Sequence, residues 1–177
     1  MITFISGGAR SGKSSFAEKL AQDNYHRQKG GNLYYIATSL PSDEEMEDRI
    51  ARHRNDRGEE WQTIEAPIHI KDGLLDLQKE STVLIDCLTV WLGNRLYIDK
   101  ADWEDISQEV GGWLQAARAR QLNLYLVSND INEGMPARTR SVASYIYMLE
   151  KLHQLIISSS KEIYQVIAGL PVKWKGG

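Results

Sequence analysis

The chain carries a single cysteine in 177 residues, so neither an intrachain disulfide nor a cysteine-built metal cluster is open to it. That residue, Cys87, lies in the apolar run Val83-Leu-Ile-Asp-Cys-Leu88, where a buried, inert thiol is expected. An excess of basic charge is also missing: 21 Lys and Arg stand against 24 Asp and Glu, for a net charge of −3 and a pI near 5.8. Binding to a polyanion is disfavoured, and no nucleic-acid partner is expected. No apolar run approaches the roughly 18 residues of a membrane span. Met1 leads directly into a strand pattern, without a basic segment followed by an apolar one. Membrane insertion is not expected; a soluble, cytoplasmic protein is. Repeats, low-complexity tracts and linkers are absent, so residues 1–177 read as one domain. With 42% hydrophobic and 25% charged residues, that domain has a sizeable core.

What is present is a rhythm. Short apolar, β-branched runs recur at Ile2–Ser6, Leu33–Thr38, Val83–Cys87, Leu124–Ser128 and Ile163–Ala168. Between and beside them, helical patterns occupy 13–28, 43–57, 88–98, 102–121 and 137–158. The runs are near-continuously apolar, as strands covered by helices on both faces must be, which predicts an α/β fold with a mostly parallel sheet. The Gly111-Gly112 pair costs about 1 kcal/mol of helix propensity per glycine and marks where its helix is least secure.

Directly after the first run comes Gly7-Gly8-Ala9-Arg10-Ser11-Gly12-Lys13-Ser14, a Gly-x4-Gly-Lys-Ser pattern in the strand-to-helix setting that gives it a mechanism. The glycines let successive backbone N–H groups converge on phosphate oxygens, and the following helix adds its positive end. Lys13 would reach the outer phosphates of a nucleoside triphosphate such as ATP or GTP, and Ser14 would ligate Mg²⁺. Ligands of open α/β sheets lie beyond the carboxyl ends of the strands. Those ends supply Ala37-Thr38-Ser39, Asp86 and Ser128-Asn129-Asp130. Asp86 suits the acidic partner of such a loop, holding Mg²⁺ directly or through water; otherwise it is an acidic cap before Leu88.

Ser42-Asp-Glu-Glu45 is a capping box, and the segment after it runs from acidic to basic, in step with the helix dipole. Arg49, His53 and Arg57 are spaced four apart, with Arg52 and Arg54 flanking the histidine in sequence. Neighbouring cations disfavour an imidazolium, so His53 tends to stay neutral near pH 7, and a neutral ring nitrogen can attack phosphorus.

Seven segments, in order along the chain, carry a resemblance: Gly7 to Ser14, Tyr35-Ile-Ala-Thr38, Arg49-Ile-Ala-Arg-His53-Arg, Trp61-Gln-Thr-Ile-Glu-Ala-Pro67, Asp86-Cys-Leu-Thr-Val-Trp-Leu-Gly-Asn94, Val127-Ser-Asn129 and Ala168-Gly-Leu-Pro171. Together they resemble the bifunctional adenosylcobinamide kinase/adenosylcobinamide-phosphate guanylyltransferase family. The resemblance implies a RecA-like P-loop fold, a homotrimer, and two reactions late in cobalamin assembly. A triphosphate phosphorylates the aminopropanol hydroxyl of adenosylcobinamide; GTP then gives GMP to that phosphate, through a GMP-histidine intermediate. His53 stands at the nucleophile's position, with Lys13 stabilising phosphate charge. Ala37, Thr38, Ser39, Arg54, Glu65 and Asp86 join the loop as candidate nucleotide contacts.

The chain departs from the family after Asn129. Where the family has an acidic residue, Gly-x-Gly-Ile-Val-Pro and a downstream Arg-Asp-x-x-Gly-x-x-Asn-Gln, this sequence keeps Asp130, Gly134, Arg140 and Gln154. It has Asn132 at the first glycine, Ala137 at the proline, and Ile146, Tyr147, Glu150 and His153 at the Arg, Asp, Gly and Asn. An enzyme retaining both reactions is expected. The alternative is a divergent paralogue, a small-molecule kinase or nucleotide-binding protein without guanylyl transfer. Val142, Tyr145, Leu149, Leu152 and Ile156 form a core-facing stripe in that last helix. His153 is expected to be structural, and the five tryptophans to serve core or interface.

Overall fold

The computed structural model describes residues 1–28, 30–40, 57–131 and 139–176. Strand β1 (Ile2–Gly7) is buried along its whole length, because helices cover both sides of it. It turns through residues 8–12 into α1 (Lys13–Arg27). Strands β2 (Leu33–Ala37), β3 (Trp61–Glu65), β4 (Thr82–Asp86), β5 (Asn123–Val127) and β6 (Glu162–Ile167) follow, with β7 (Leu170–Lys175) last. The remaining helices of the described residues are α2 (Ile70–Asp76), α3 (Leu88–Tyr97), α4 (Trp103–Ala119) and α5 (Arg140–Ser159). Together the strands make one seven-stranded sheet in the order β3-β2-β4-β5-β1-β6-β7. Every pairing is parallel except the last, β6 with β7.

Alternate residues of each strand face opposite layers. Ile5, Tyr35, Leu84, Tyr125, Val127 and Val166 meet α1, whose Ala17 and Ala21 are fully buried and small enough to let the helix lie close. On the other face Phe4, Ile36, Val83, Ile85, Leu124 and Leu126 join α2 to α5 in the larger core. Trp91 and Trp113 meet edge to face there, ring centroids 4.5 Å apart, and the Trp91 indole donates to the Ile68 carbonyl at 2.8 Å.

All five predicted strands are present. The helix through Gly111-Gly112 is unbroken, started by a reciprocal cap in which Asp105 N–H donates to Asp102 and Asp102 N–H to Asp105. A Cβ on Gly112 would meet Lys71 Cδ of α2 at 2.6 Å, a contact the flexible lysine side chain would have to yield. The predicted stripe of α5 holds at Leu149, Leu152 and Ile156 but not at Val142, which is 44% exposed in the first turn. Trp91 and Trp113 are core, Trp61 and Trp103 half-buried, and Trp174 exposed. The predicted helix at 43–57 falls outside the described residues except for Arg57, as does the start of the one at 137–158.

Candidate active site

The glycine-rich segment closes on itself. Ser11 N–H donates to the Gly8 carbonyl at 3.2 Å, and Phe16 N–H to the Gly12 carbonyl at 3.0 Å. Gly12, at φ 86°, adopts a left-handed conformation that suits glycine and leads straight into α1. Lys13 is buried, its ammonium donating to the Gly8 carbonyl at 3.2 Å across the turn. The β6–β7 turn docks against the segment, Gly169 N–H donating to the Ser11 carbonyl at 2.8 Å.

Gly7 is pinned by its neighbours, since a Cβ would meet the Val166 carbonyl oxygen at 2.5 Å and Ser11 Oγ at 2.6 Å. One of those obstacles is backbone and cannot rotate away. Gly7→Ala is therefore expected to cost about 1–3 kcal/mol of stability, read as a fall of several degrees in Tm by calorimetry.

The remaining candidates lie along one edge because the parallel register puts them there. Glu65, Ala37, Asp86, Val127 and Ile5 are successive partners across β3, β2, β4, β5 and β1. Asp86 is thus separated from the strand leading into the turn by β5 alone, and Ser128-Asn129 leaves between them. The Asp86 carboxylate accepts from the Tyr35 hydroxyl at 3.2 Å. Burial first, and the charge of Asp86 second, raise Tyr35 far above the ordinary phenol range, so it remains a donor. The Arg57 guanidinium covers the same ring, 3.2 Å from its centroid, and donates to Glu18 at 3.1 Å.

Asp86 does not cap α3. The N-cap is Cys87, with no side-chain cap bond. Cys87 itself is half-buried rather than buried, because the strand ends one residue before it. Its thiol is nonetheless pushed up by burial and then by Asp86, which keeps it protonated and inert. Thr38 brackets this residue, its hydroxyl accepting from Cys87 N–H at 2.8 Å and donating to the Cys87 carbonyl at 2.9 Å. The buried Asn94 amide donates to the carbonyls of Thr38 and Pro67, at 2.8 and 3.1 Å, and so fixes the end of β2. Ser39 is half-buried beside it, and Glu65 is exposed.

Gly7 to Ser14, Ala37, Thr38, Ser39, Glu65 and Asp86 are therefore gathered at the carboxyl edge, while His53 and Arg54 lie outside the described residues. Tyr35, Asn94 and Arg57, named in the sequence only within resembling segments or on the predicted His53 helix and not as candidate contacts, belong to the same edge. Tyr35 reads there as one more apolar strand residue, Asn94 as an ordinary helix residue, and Arg57 as the last cation of a helix.

His153 is tied into a hydrogen-bonded chain. Its Nε2 pairs with Ser128 Oγ at 2.7 Å, and Ser128 Oγ lies 3.2 Å from Thr89 Oγ1, which accepts from Asn129 N–H at 2.9 Å. Burial holds the imidazole below its ordinary value, with Asp130 pulling the other way. The unfolded chain takes up this proton near pH 6.5, and the folded one only at lower pH. The corresponding stability is complete above about pH 6.5 and fades as pH falls toward the folded value. The Tm of the chain is expected to drop more steeply between pH 7 and 5 than that of His153→Gln, in parallel calorimetric scans.

A mostly parallel sheet with a Gly-x4-Gly-Lys-Ser turn between its first strand and first helix defines a P-loop nucleotide-binding protein of RecA-like fold. Solved structures agree on the fold: project protein PH0250 of Pyrococcus horikoshii has a TM-score of 0.57 at 10% identity, over 99% of this chain and 86% of that one. The flagellar accessory protein FlaH of Methanocaldococcus jannaschii gives 0.52 at 13% identity, over 99% and 78%. Within that class, the chain belongs to the cobinamide kinase / cobinamide phosphate guanyltransferase family, whose model matches residues 3–174. It is 35% identical to the bifunctional adenosylcobalamin biosynthesis protein CobP of Pseudomonas aeruginosa, over 99% of this chain and 98% of that one. With the corresponding protein CobU of Escherichia coli it shares 29% identity, over 99% and 100%. It is an enzyme of a kinase and guanyltransferase family.

Proposed function

We propose that residues 1–177 form a single nucleotide-binding domain that performs both family reactions. In the first, the aminopropanol hydroxyl oxygen of adenosylcobinamide attacks the γ-phosphorus of a triphosphate. The new P–O bond forms as the bond to the diphosphate leaving group breaks, and the hydroxyl proton is released. In the second, a ring nitrogen of His53 attacks the α-phosphorus of GTP and pyrophosphate departs. The phosphate oxygen of adenosylcobinamide phosphate then displaces His53, giving adenosylcobinamide-GDP.

The observation that carries this proposal is the buried Lys13 ammonium inside a closed turn whose neighbours across the sheet end in Asp86. Amides of residues 8–14 would cradle the phosphates, and Lys13 would offset charge that builds on the transferred group. Among the described residues no group of three or more His, Cys, Asp and Glu could hold a metal ion. A nucleotide-borne Mg²⁺ needs no such cage, since phosphates and waters supply most of its ligands. Ser14 and Asp86 are hard-oxygen donors that fit it, and the ion would neutralise phosphate charge. Ala37, Thr38, Ser39, Arg54 and Glu65 would contact the guanosine part. The enzyme would work as a homotrimer in the cytoplasm; among the described residues no helix is long and apolar enough to cross a membrane.

Turnover of adenosylcobinamide with ATP and GTP tests the proposal. Both the phosphorylated and the GDP-linked products are expected. The phosphorylated product alone would point to a kinase paralogue, the outcome that the departures at Ile146, Tyr147, Glu150 and His153 would then explain.

A further inference from the structure

Tyr35 and Asp86 face the same layer of the sheet. In the parallel register Tyr35 pairs with Leu84, so Asp86, two residues further on, lies diagonally across from it. The Tyr35 hydroxyl spans that diagonal and donates to Asp86 Oδ2 at 3.2 Å. No donor among the described residues reaches Oδ1 of the same half-buried carboxylate. One oxygen is held and the other is open at the carboxyl edge, with only β5 between Asp86 and the strand that leads into the phosphate loop.

The surroundings of Tyr35 keep its ring still. Trp61 of β3 meets it edge to face, centroids 6.2 Å apart. The Arg57 guanidinium lies over the ring, 3.2 Å from the centroid, and its Nε donates to Glu18 of α1 at 3.1 Å. Only 9% of that arginine side chain is exposed, so the cation is largely removed from water between a ring face and a carboxylate. Ala17 and Ala21 of α1 belong to the same packed cluster. A ring confined in this way aims its hydroxyl in one direction, at Asp86. Phenylalanine would fill the same space, so packing alone does not call for the oxygen. The hydrogen bond is long for a hydroxyl on a carboxylate, which suits a group that orients Asp86 more than one that stabilises the fold.

We propose that Tyr35 is a positioning residue for metal binding, its hydroxyl fixing the Asp86 carboxylate so that Oδ1 faces the divalent cation that arrives with the nucleotide. This rests on the metal role of Asp86 in the function proposed above. Without the hydroxyl, the carboxylate must be ordered at the moment the cation binds. Removing a group that orients a metal ligand costs roughly 10–100-fold in metal affinity or activity. Phosphates and waters supply most ligands of a nucleotide-borne cation, so Tyr35 belongs at the lower end of that range.

The test is the Kd of a non-hydrolysable GTP analogue, measured by calorimetry with Mg²⁺ and again with EDTA. Four full-length proteins are compared: the natural chain, Tyr35→Phe, Asp86→Asn and the double variant. Tyr35→Phe is expected to raise the Kd roughly tenfold with Mg²⁺ and to leave it unchanged with EDTA, which also shows that the variant is folded. Asp86→Asn should weaken Mg²⁺-dependent binding at least as much, and adding Tyr35→Phe to it should change nothing further, because the pair acts as one unit. An unchanged Tyr35→Phe beside a weakened Asp86→Asn overturns the positioning role and leaves the proposed function standing. Equal losses with and without Mg²⁺ make Tyr35 a packing residue and overturn it as well, as do additive losses in the double variant. Full Mg²⁺ dependence in Asp86→Asn rejects the metal role of Asp86 itself, and the proposal with it.

Discussion

Replacing His53 by alanine is expected to abolish transfer of GMP from GTP to adenosylcobinamide phosphate while leaving phosphorylation of adenosylcobinamide largely intact. A covalent nucleophile has no substitute, and its removal costs roughly 10⁴-fold or more in rate. His53 lies in sequence among Arg49, Arg52, Arg54 and Arg57. If the cations lie near the ring, they would disfavour the imidazolium and attract the triphosphate that a neutral nitrogen must approach. The proposed kinase step would attack a different phosphorus with a different nucleophile, and would draw on the loop, Lys13 and Asp86 but not on an imidazole. Chromatographic quantification of the phosphorylated and GDP-linked products over time checks the split. Equal loss of both activities would make His53 a binding or structural residue.

Lys13→Ala is expected to depress both activities together, each by roughly 10²–10³-fold in kcat. The Lys13 ammonium is the buried cation of the turn, 3.2 Å from the Gly8 carbonyl, and both proposed reactions build charge on phosphates held there. Folding should survive, because α1 is anchored through Ala17 and Ala21 rather than through Lys13. Steady-state rates for each reaction, beside thermal melts of the two proteins, provide the comparison. A variant losing one activity only would assign Lys13 to a single step and undo the shared-site account.

The sequence was most legible where a local pattern and a global rule coincide. The run Ile2–Ser6 followed by glycine, lysine and serine marked the phosphate turn, and the strand-end rule brought Ala37, Thr38 and Asp86 to the same edge. Elements without a buried face escaped it. Strand β3 is a half-exposed edge of alternating character, and β7 is exposed along its length and contains Pro171, which an edge strand tolerates. Helix α2 spans only Ile70–Asp76 and contains Gly73, too short for a helical period to stand out. The Tyr35 to Asp86 and Ser6 to Asp130 hydrogen bonds join residues 51 and 124 positions apart. Spacing within a segment carries no information about such pairs. Gly111-Gly112 shows the converse, a local cost in helix propensity that the packed helix tolerates, although a Cβ at Gly111 would meet nothing within 4 Å.

The most direct test is incubation of the chain with GTP labelled at the α- or the γ-phosphate, followed by denaturation and recovery of the protein. Acid-labile, base-stable label should remain only from the α-position, and none should remain on His53→Ala. An unlabelled protein during active turnover, or label retained from the γ-position, would contradict guanylyl transfer through His53.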